Sequence, residues 1–257
     1  MKHTDIVRKQ FDRTGHIYAA TPQAADTAKH DALVSLCGTN SSHKVLDVAC
    51  GPGILSAAFA KVAETVVGLD ITPRFLEMAR QGAAEASIEN ITFKEGDVCT
   101  MPFPDQAFDI VVCRAAFHHF TDVAAVVAEM HRVVALGGKI VVGDMVASPD
   151  EAKANYHHKM EVLCDPSHAR ALTDDAFTGL FSREGLKLLH KIPGVSSQPL
   201  DGWIEHGQPD AAATAEIQEL MAQALADKAL ADLDVREENG GIHFTHQTML
   251  YMAERVS

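Results

Sequence analysis

The chain has 257 residues, 47% of them hydrophobic, and a formal net charge of −13 at pH 7. That length carries one large domain with a sizeable core, and no apolar run reaches the ~18 residues of a membrane span. The acidic balance argues against nucleic-acid binding by bulk electrostatics, because phosphates need a basic face.

Residues 3–14 read as a short polar helix. Thr21-Pro22 predicts the start of a second helix, with Thr as N-cap and Pro in the first turn, running to about Cys37. After the loop "GTNSS", the strand "KVLDVA" is apolar enough to be buried on both faces. A helix follows Gly53. "TVVGLD" is a second strand, and "TPRFLEMARQGAAEA" is a helix opened by Thr then Pro. "ITFKEGD" is a third strand with its turn, and "FDIVVCR" a fourth. "DVAAVVAEMHRVV" is a helix capped by Asp122. "LGG" ends it, and "KIVVGDM" is the fifth strand. Strands alternating with helices imply right-handed crossovers and a parallel sheet covered on both faces. Ligands of such sheets sit at the carboxyl ends of the strands, where strand order reverses.

After residue 145 the rhythm changes. The stretch from Ser148 to Gly185 reads as helical pieces, "LKLLHKI" as a strand and "PGVSSQPLDGW" as a loop. "AAATAEIQELMAQALADKALAD" is an Ala-rich helix, and "IHFTHQTMLYMAERV" a final strand antiparallel to its neighbour. With no linker or repeat in view, residues 1–257 are expected to form a single domain. Residues 1–40 would be N-terminal helices, 41–145 a cofactor-binding core, and 146–257 a helical cap and C-terminal strands.

Three strand ends carry the chemistry. In "DVACGPG", Gly51 and Gly53 let a backbone approach a ligand, and the next helix offers unpaired N–H groups. Such a turn alone serves equally as a tight strand-to-helix connection. Asp70 ends the second strand, where a carboxylate can accept both ribose hydroxyls of a nucleoside. Asp97 ends the third, where a carboxylate can accept from an adenine amine and the Val98 backbone can address the ring. The fourth strand ends in "CRAAFHHF", which puts Arg114, His118 and His119 on the rim. A dinucleotide site shares the first two signals, but position 56 is Ser instead of a third glycine, and Asp97 is left unexplained.

Taken together, "VLDVACGPG", "VVGLD", "GDVCTMPFPDQAFDIVVCRAAFHHFTD" and "EMHRVVALGGKIVVGD" resemble the motifs of class I S-adenosylmethionine-dependent methyltransferases. The nearest subgroup is the ubiquinone/menaquinone C-methyltransferase-like, type 11, proteins. "RVVALGG" departs from the Lys-Pro that usually precedes the glycines there. The resemblance implies a Rossmann-like, doubly wound, seven-stranded sheet, mostly parallel with one antiparallel strand near the C-terminus, and a helical cap. It implies S-adenosylmethionine as cofactor, S-adenosylhomocysteine as product and a small-molecule acceptor methylated by in-line displacement. Asp47, Ala49, Gly51, Gly53 and Arg114 would surround the methionine portion, Asp70 and Ile71 the ribose, and Asp97 and Val98 the adenine. Phe11 and Tyr18 would close over the cofactor.

Histidine suits general-base chemistry near neutral pH, so His118, His119 and His168 are the candidate bases. His119 and His168 also have packing or turn-capping roles open to them. His119, Tyr156, His168, Arg170 and Trp203 are expected to line the acceptor pocket. Fourteen histidines invite a metal reading. Adjacent residues such as His157-His158 do not share a helix face, and no HExxH spacing occurs, so no metal is expected. The five cysteines contain no CxxC pair, so neither a disulfide framework nor a zinc knuckle is signalled. Cys50, Cys99 and Cys113 near strand ends could bind a soft acceptor, or pack as small hydrophobes. The N-terminus lacks a signal-peptide core, so a cytoplasmic monomer or homodimer is expected. The alternative function is a cofactor-binding protein without methyl transfer, a sensor or a catalyst of other sulfonium chemistry.

Overall fold

The computed structural model describes residues 2–21 and 26–256. The strands are β1 (Lys44–Val48), β2 (Thr65–Asp70), β3 (Ile91–Glu95), β4 (Phe108–Arg114), β5 (Val134–Ala147), β6 (Leu172–Thr173), β7 (Leu186–Pro199), β8 (Arg236–Glu238) and β9 (Gly241–Arg255). The main path runs β3-β2-β1-β4-β5-β9-β7, with β6 on β5 and β8 on β9. β1 to β5 are parallel, and β9 is antiparallel to both β5 and β7. The expected seven-stranded, doubly wound architecture is therefore present, extended by the two short strands β6 and β8.

Period-two alternation explains why the sheet is covered twice. Leu46, Val111, Cys113, Ile140 and Val142 enter one core with helices α5 (Val123–Val133) and α7 (Asp174–Arg183). Val45, Ile110, Val112 and Val141 enter the other, with α2 (Thr27–Leu36) and α3 (Ile54–Ala60). β1 lies between β2 and β4, so strand order reverses at its carboxyl end.

A third cluster lies beyond that edge. It joins α6 (Glu151–Cys164), α8 (Leu200–Gly207) and α9 (Ala211–Ala226) through Met160, Trp203, Leu220 and Phe244. β9 pairs with β5 only from Thr248 onward, but with β7 as far as His243 opposite Pro199. The β7–β9 ribbon thus projects past the carboxyl edge and carries the cap.

Several boundaries differ from expectation. α1 spans His3–Ala19, not residues 3–14. Thr21 donates its hydroxyl to the Tyr18 carbonyl at 2.8 Å, closing α1 instead of opening the next helix. The described helix begins at Thr27 behind Asp26, whose carboxylate accepts from the Lys29 amide at 3.1 Å; Pro22 lies outside the described residues. "LGG" does not separate helix from strand: β5 starts at Val134, with a register shift against β4 that absorbs these residues. "PGVSSQP" belongs to β7, because pairing with β9 continues through Pro199, and "LDGW" opens α8.

Candidate active site

The loop after β1 is built from left-handed backbone: φ is +54° at both Ala49 and Gly51 and +76° at Gly53. Gly51 borders a cavity, and a Cβ there would have only the Tyr18 ring at 4.0 Å. Gly53 does not border the cavity. A Cβ on it would strike Ala79 at 2.8 Å and Phe93 at 2.9 Å, so this glycine serves close packing against α4 (Pro73–Glu85) and β3. Ala115, following β4, is also left-handed at +52°. Strained alanines at the ends of two adjacent central strands mark a functional edge.

The cavity encloses about 390 Å³. Asp47, Ala49, Gly51, Asp70, Ile71, Asp97, Val98 and Arg114 all line it, as do Phe11 and Tyr18 from α1. Asp70 accepts from the Gly51 and Thr72 amides, each at 2.8 Å, so it ties the β1 loop to the end of β2. Ser56 donates to Asp47 at 2.5 Å. Burial, with Asp70 adding to it, pushes the Asp47 carboxyl up to about 7, and burial also raises Asp70. Two dry carboxylates side by side favour a cationic guest. Arg114 donates to His30 Nε2 at 3.1 Å. Asp97 accepts from the Cys99 amide at 2.9 Å.

α1 closes one side. Gly15 lets it lie on α4, since a Cβ would meet the Phe75 ring at 2.8 Å. The Phe11 ring centroid is 5.2 Å from those of Phe75 and His119. Gln10 donates to the Gly207 carbonyl at 3.1 Å, linking α1 to the cap.

The three candidate bases are not equivalent. His118 lines the cavity and binds Asp144 through Nδ1 at 2.6 Å. Asp144 also accepts from the Phe117 and Met145 amides, each at 2.6 Å. Burial alone would lower His118, but Asp144 beside it brings the imidazole above its usual value. The bond at Nδ1 leaves Nε2 with its lone pair. His119 also lines the cavity, but burial and His118 push it down to about 4, and its Nδ1 donates to the Ser167 carbonyl at 3.0 Å. His168 does not line the cavity. It stacks on His118 with centroids 5.5 Å apart, and both its ring nitrogens lack partners among the described residues.

Of the expected acceptor residues, His119 and Trp203 border the cavity and the other three do not. Tyr156 donates to the Leu220 carbonyl at 2.5 Å within the cap core, and Arg170 donates to Asn155 at 3.0 Å on the surface. Burial raises the thiols of Cys50 and Cys113, and brings Cys99 up to about 11, which removes support for a thiolate cluster. Sequence reasoning missed Asp144, whose only signal was its place at the end of "KIVVGD". It also missed Glu161, Gln198 and His246, which line the cavity from the cap.

Among known proteins, the methyltransferase domain family model matches residues 46–142. The methyltransferase GfsG of Streptomyces halstedii is 33% identical over 207 residues, 76% of this chain and 73% of that protein. The uncharacterized methyltransferase YcgJ of Bacillus subtilis is 29% identical over 197 residues, 77% of this chain and 78% of that one. The crystal structure of YcgJ matches with a TM-score of 0.84 at 28% identity, over 90% of this chain and 99% of that one. A demethylmenaquinone methyltransferase of Deinococcus radiodurans is 40% identical over 105 residues, 40% of this chain and 43% of that protein.

Proposed function

The chain belongs to the class I S-adenosylmethionine-dependent methyltransferases of the type 11 group, and we propose that it methylates a small molecule activated by His118. The observation that carries this reading is one cavity lined by Asp47, Asp70 and Asp97, from three successive strand ends, together with the His118–Asp144 pair.

The residues fit the cofactor. S-adenosylmethionine supplies an electrophilic methyl on a sulfonium. Gly51 and Ala49 leave room for its amino-acid tail. The buried Asp47 would meet its ammonium and Arg114 its carboxylate. Asp70 with Ile71 would take the ribose, and Asp97 with Val98 would hold the adenine. Phe11 and Tyr18 exclude water over the site. Gly53 acts indirectly, by letting the start of α3 pack against α4 and β3. The fit to a cation rests on two carboxylates whose burial is unfavourable without one.

His118 removes the proton of the acceptor through Nε2, while Asp144 fixes the ring and stabilises the imidazolium. An acceptor hydroxyl or an acidified carbon answers to that chemistry. His119 is neutral and shapes the wall. Residues 1–257 act as one domain, with 146–257 supplying the cap and last strands. We place the activity in the cytoplasm, on a monomer or homodimer; no helix among the described residues is long and apolar enough to cross a membrane.

The test is incubation with S-adenosylmethionine and a panel of phenols, enols and hydroxy acids, with mass-spectrometric detection of S-adenosylhomocysteine and methylated product. Stoichiometric product from one acceptor class supports the reading. Conversion of the cofactor without any acceptor would favour the non-methylating alternative. Failure to bind the cofactor in calorimetry would remove both.

A further inference from the structure

A second constellation lies at the cap end of the same cavity, and the reading above gives it no task. His157 and Glu161 are one turn apart on α6, and His246 comes from the projecting part of β9. His157 Nε2 lies 3.1 Å, and His246 Nε2 2.7 Å, from the same carboxylate oxygen, Glu161 Oε1. One donor atom from each residue falls within 4.8 Å of the others, and all three side chains are buried. Glu161 and His246 also form part of the cavity wall.

Glu161 is a carboxyl group buried between two imidazoles, and a buried carboxylate is either paired or bound to a metal. Two neutral imidazoles and one carboxylate are the donor set of a three-ligand site that keeps a position open. A divalent ion there leaves one positive charge, which a singly charged oxygen ligand neutralises. Gln198 lies behind His246, its amide nitrogen 3.3 Å from Nδ1. Turning that amide over presents its oxygen to an Nδ1–H, the outer bond that orients a metal-bound imidazole.

We propose that His157, Glu161 and His246 bind a divalent transition ion of the zinc class, whose open position faces the cavity and takes an anionic oxygen of the acceptor. The acceptor half rests on the methyl-transfer reading; the metal half does not. An acceptor oxygen held by the ion would be more acidic, which complements proton removal by His118.

Chelator-stripped full-length protein is titrated with Zn²⁺, and separately with Co²⁺ as an absorbing probe. One equivalent of Zn²⁺ should bind in calorimetry and displace the Co²⁺ absorption. His157→Gln, Glu161→Gln and His246→Gln should each weaken binding at least about tenfold, and His158→Gln should leave it unchanged. Calorimetry with S-adenosylmethionine shows whether each variant is folded. For variants that fail to fold, anomalous scattering from a zinc-soaked crystal of the unaltered chain locates the ion directly. Absence of stoichiometric binding, equal binding in the three variants, or an anomalous peak elsewhere overturns the proposal. Failure of every acceptor to be methylated while zinc still binds at these residues counts against the methyl-transfer reading alone.

Discussion

Asp70 is the residue whose removal speaks most directly to the cofactor site. Its two oxygens hold the Gly51 and Thr72 amides, and each hydrogen bond to a charged group is worth about 1.5–3 kcal/mol. Asp70→Asn loses the charge and turns one accepting oxygen into an NH2 that cannot accept, so S-adenosylmethionine should bind roughly tenfold or more weakly in calorimetry. Unchanged affinity would contradict the assignment. His118→Asn should lower kcat by about 10²–10⁴-fold with little effect on cofactor affinity. The base form of His118 exists above its pKa, which Asp144 raises above 6.5. The rate should therefore fall as pH drops through a midpoint above 6.5. In Asp144→Asn the main opposition to burial is lost, leaving only the weaker pull of Glu161 and Asp165, so that acid limb should move to lower pH; an unmoved limb would take the base role from His118. Asp70 and Asp97 were legible because a strand end is a position readable in sequence. Asp144 was not distinguished from other strand-end acids, since only the fold brings it under His118, and Arg170 looked equally suitable until its guanidinium proved to lie on Asn155.

At the scale of elements, α1 is held over the cavity by contact with α4, and at Gly15 it lies directly on the Phe75 ring. Gly15→Ala would drive a methyl into the Phe75 ring, against which Phe11 and Tyr18 also pack. Overpacking of this kind costs about 1–3 kcal/mol. We expect a lower melting temperature and weaker cofactor binding, since α1 carries Phe11 and Tyr18. A variant that melts lower but binds the cofactor equally would show that α1 does not close the site. The central helices and strands were readable from period and caps, as at Asp122, whose carboxylate does accept from the Ala125 amide at 3.0 Å. β8 was missed although Asn239-Gly240, both at positive φ, forms the two-residue turn that sequence can announce. The end of β7 was unreadable for a different reason: Pro193 and Pro199 argue against a strand, and only the long partner β9 draws them into one. His157 and Glu161, four apart on α6, were a metal signal in the sequence that the adjacent His157-His158 pair obscured, and His246 joins them only through the ribbon.

For the whole molecule, the alternation of strands and helices determined the sheet order and hence where a ligand sits, whereas the cap had no period to read because its helices bury themselves on one another. The same architecture sets a pH response. In the ligand-free protein Asp47 titrates at about 7, well above its unfolded value of about 3.9. Its contribution to stability is full below the unfolded value and is lost as pH rises through about 7. A net charge of −13 adds self-repulsion in the same direction. A cationic cofactor reverses this locally, since it binds the ionised carboxylate and must displace a proton when Asp47 is protonated. Below pH ~7 its affinity should therefore fall by up to about tenfold per unit, or about 1.4 kcal/mol. In a chain of this size each kcal/mol moves the melting temperature by about 2–4 °C. At one fixed concentration, S-adenosylmethionine should raise the melting temperature several degrees more at pH 8 than at pH 6, and Asp47→Asn should flatten the difference. A gain independent of pH, or larger at pH 6, would mean that the ammonium does not meet Asp47 and that the cofactor's charge is answered elsewhere in the cavity.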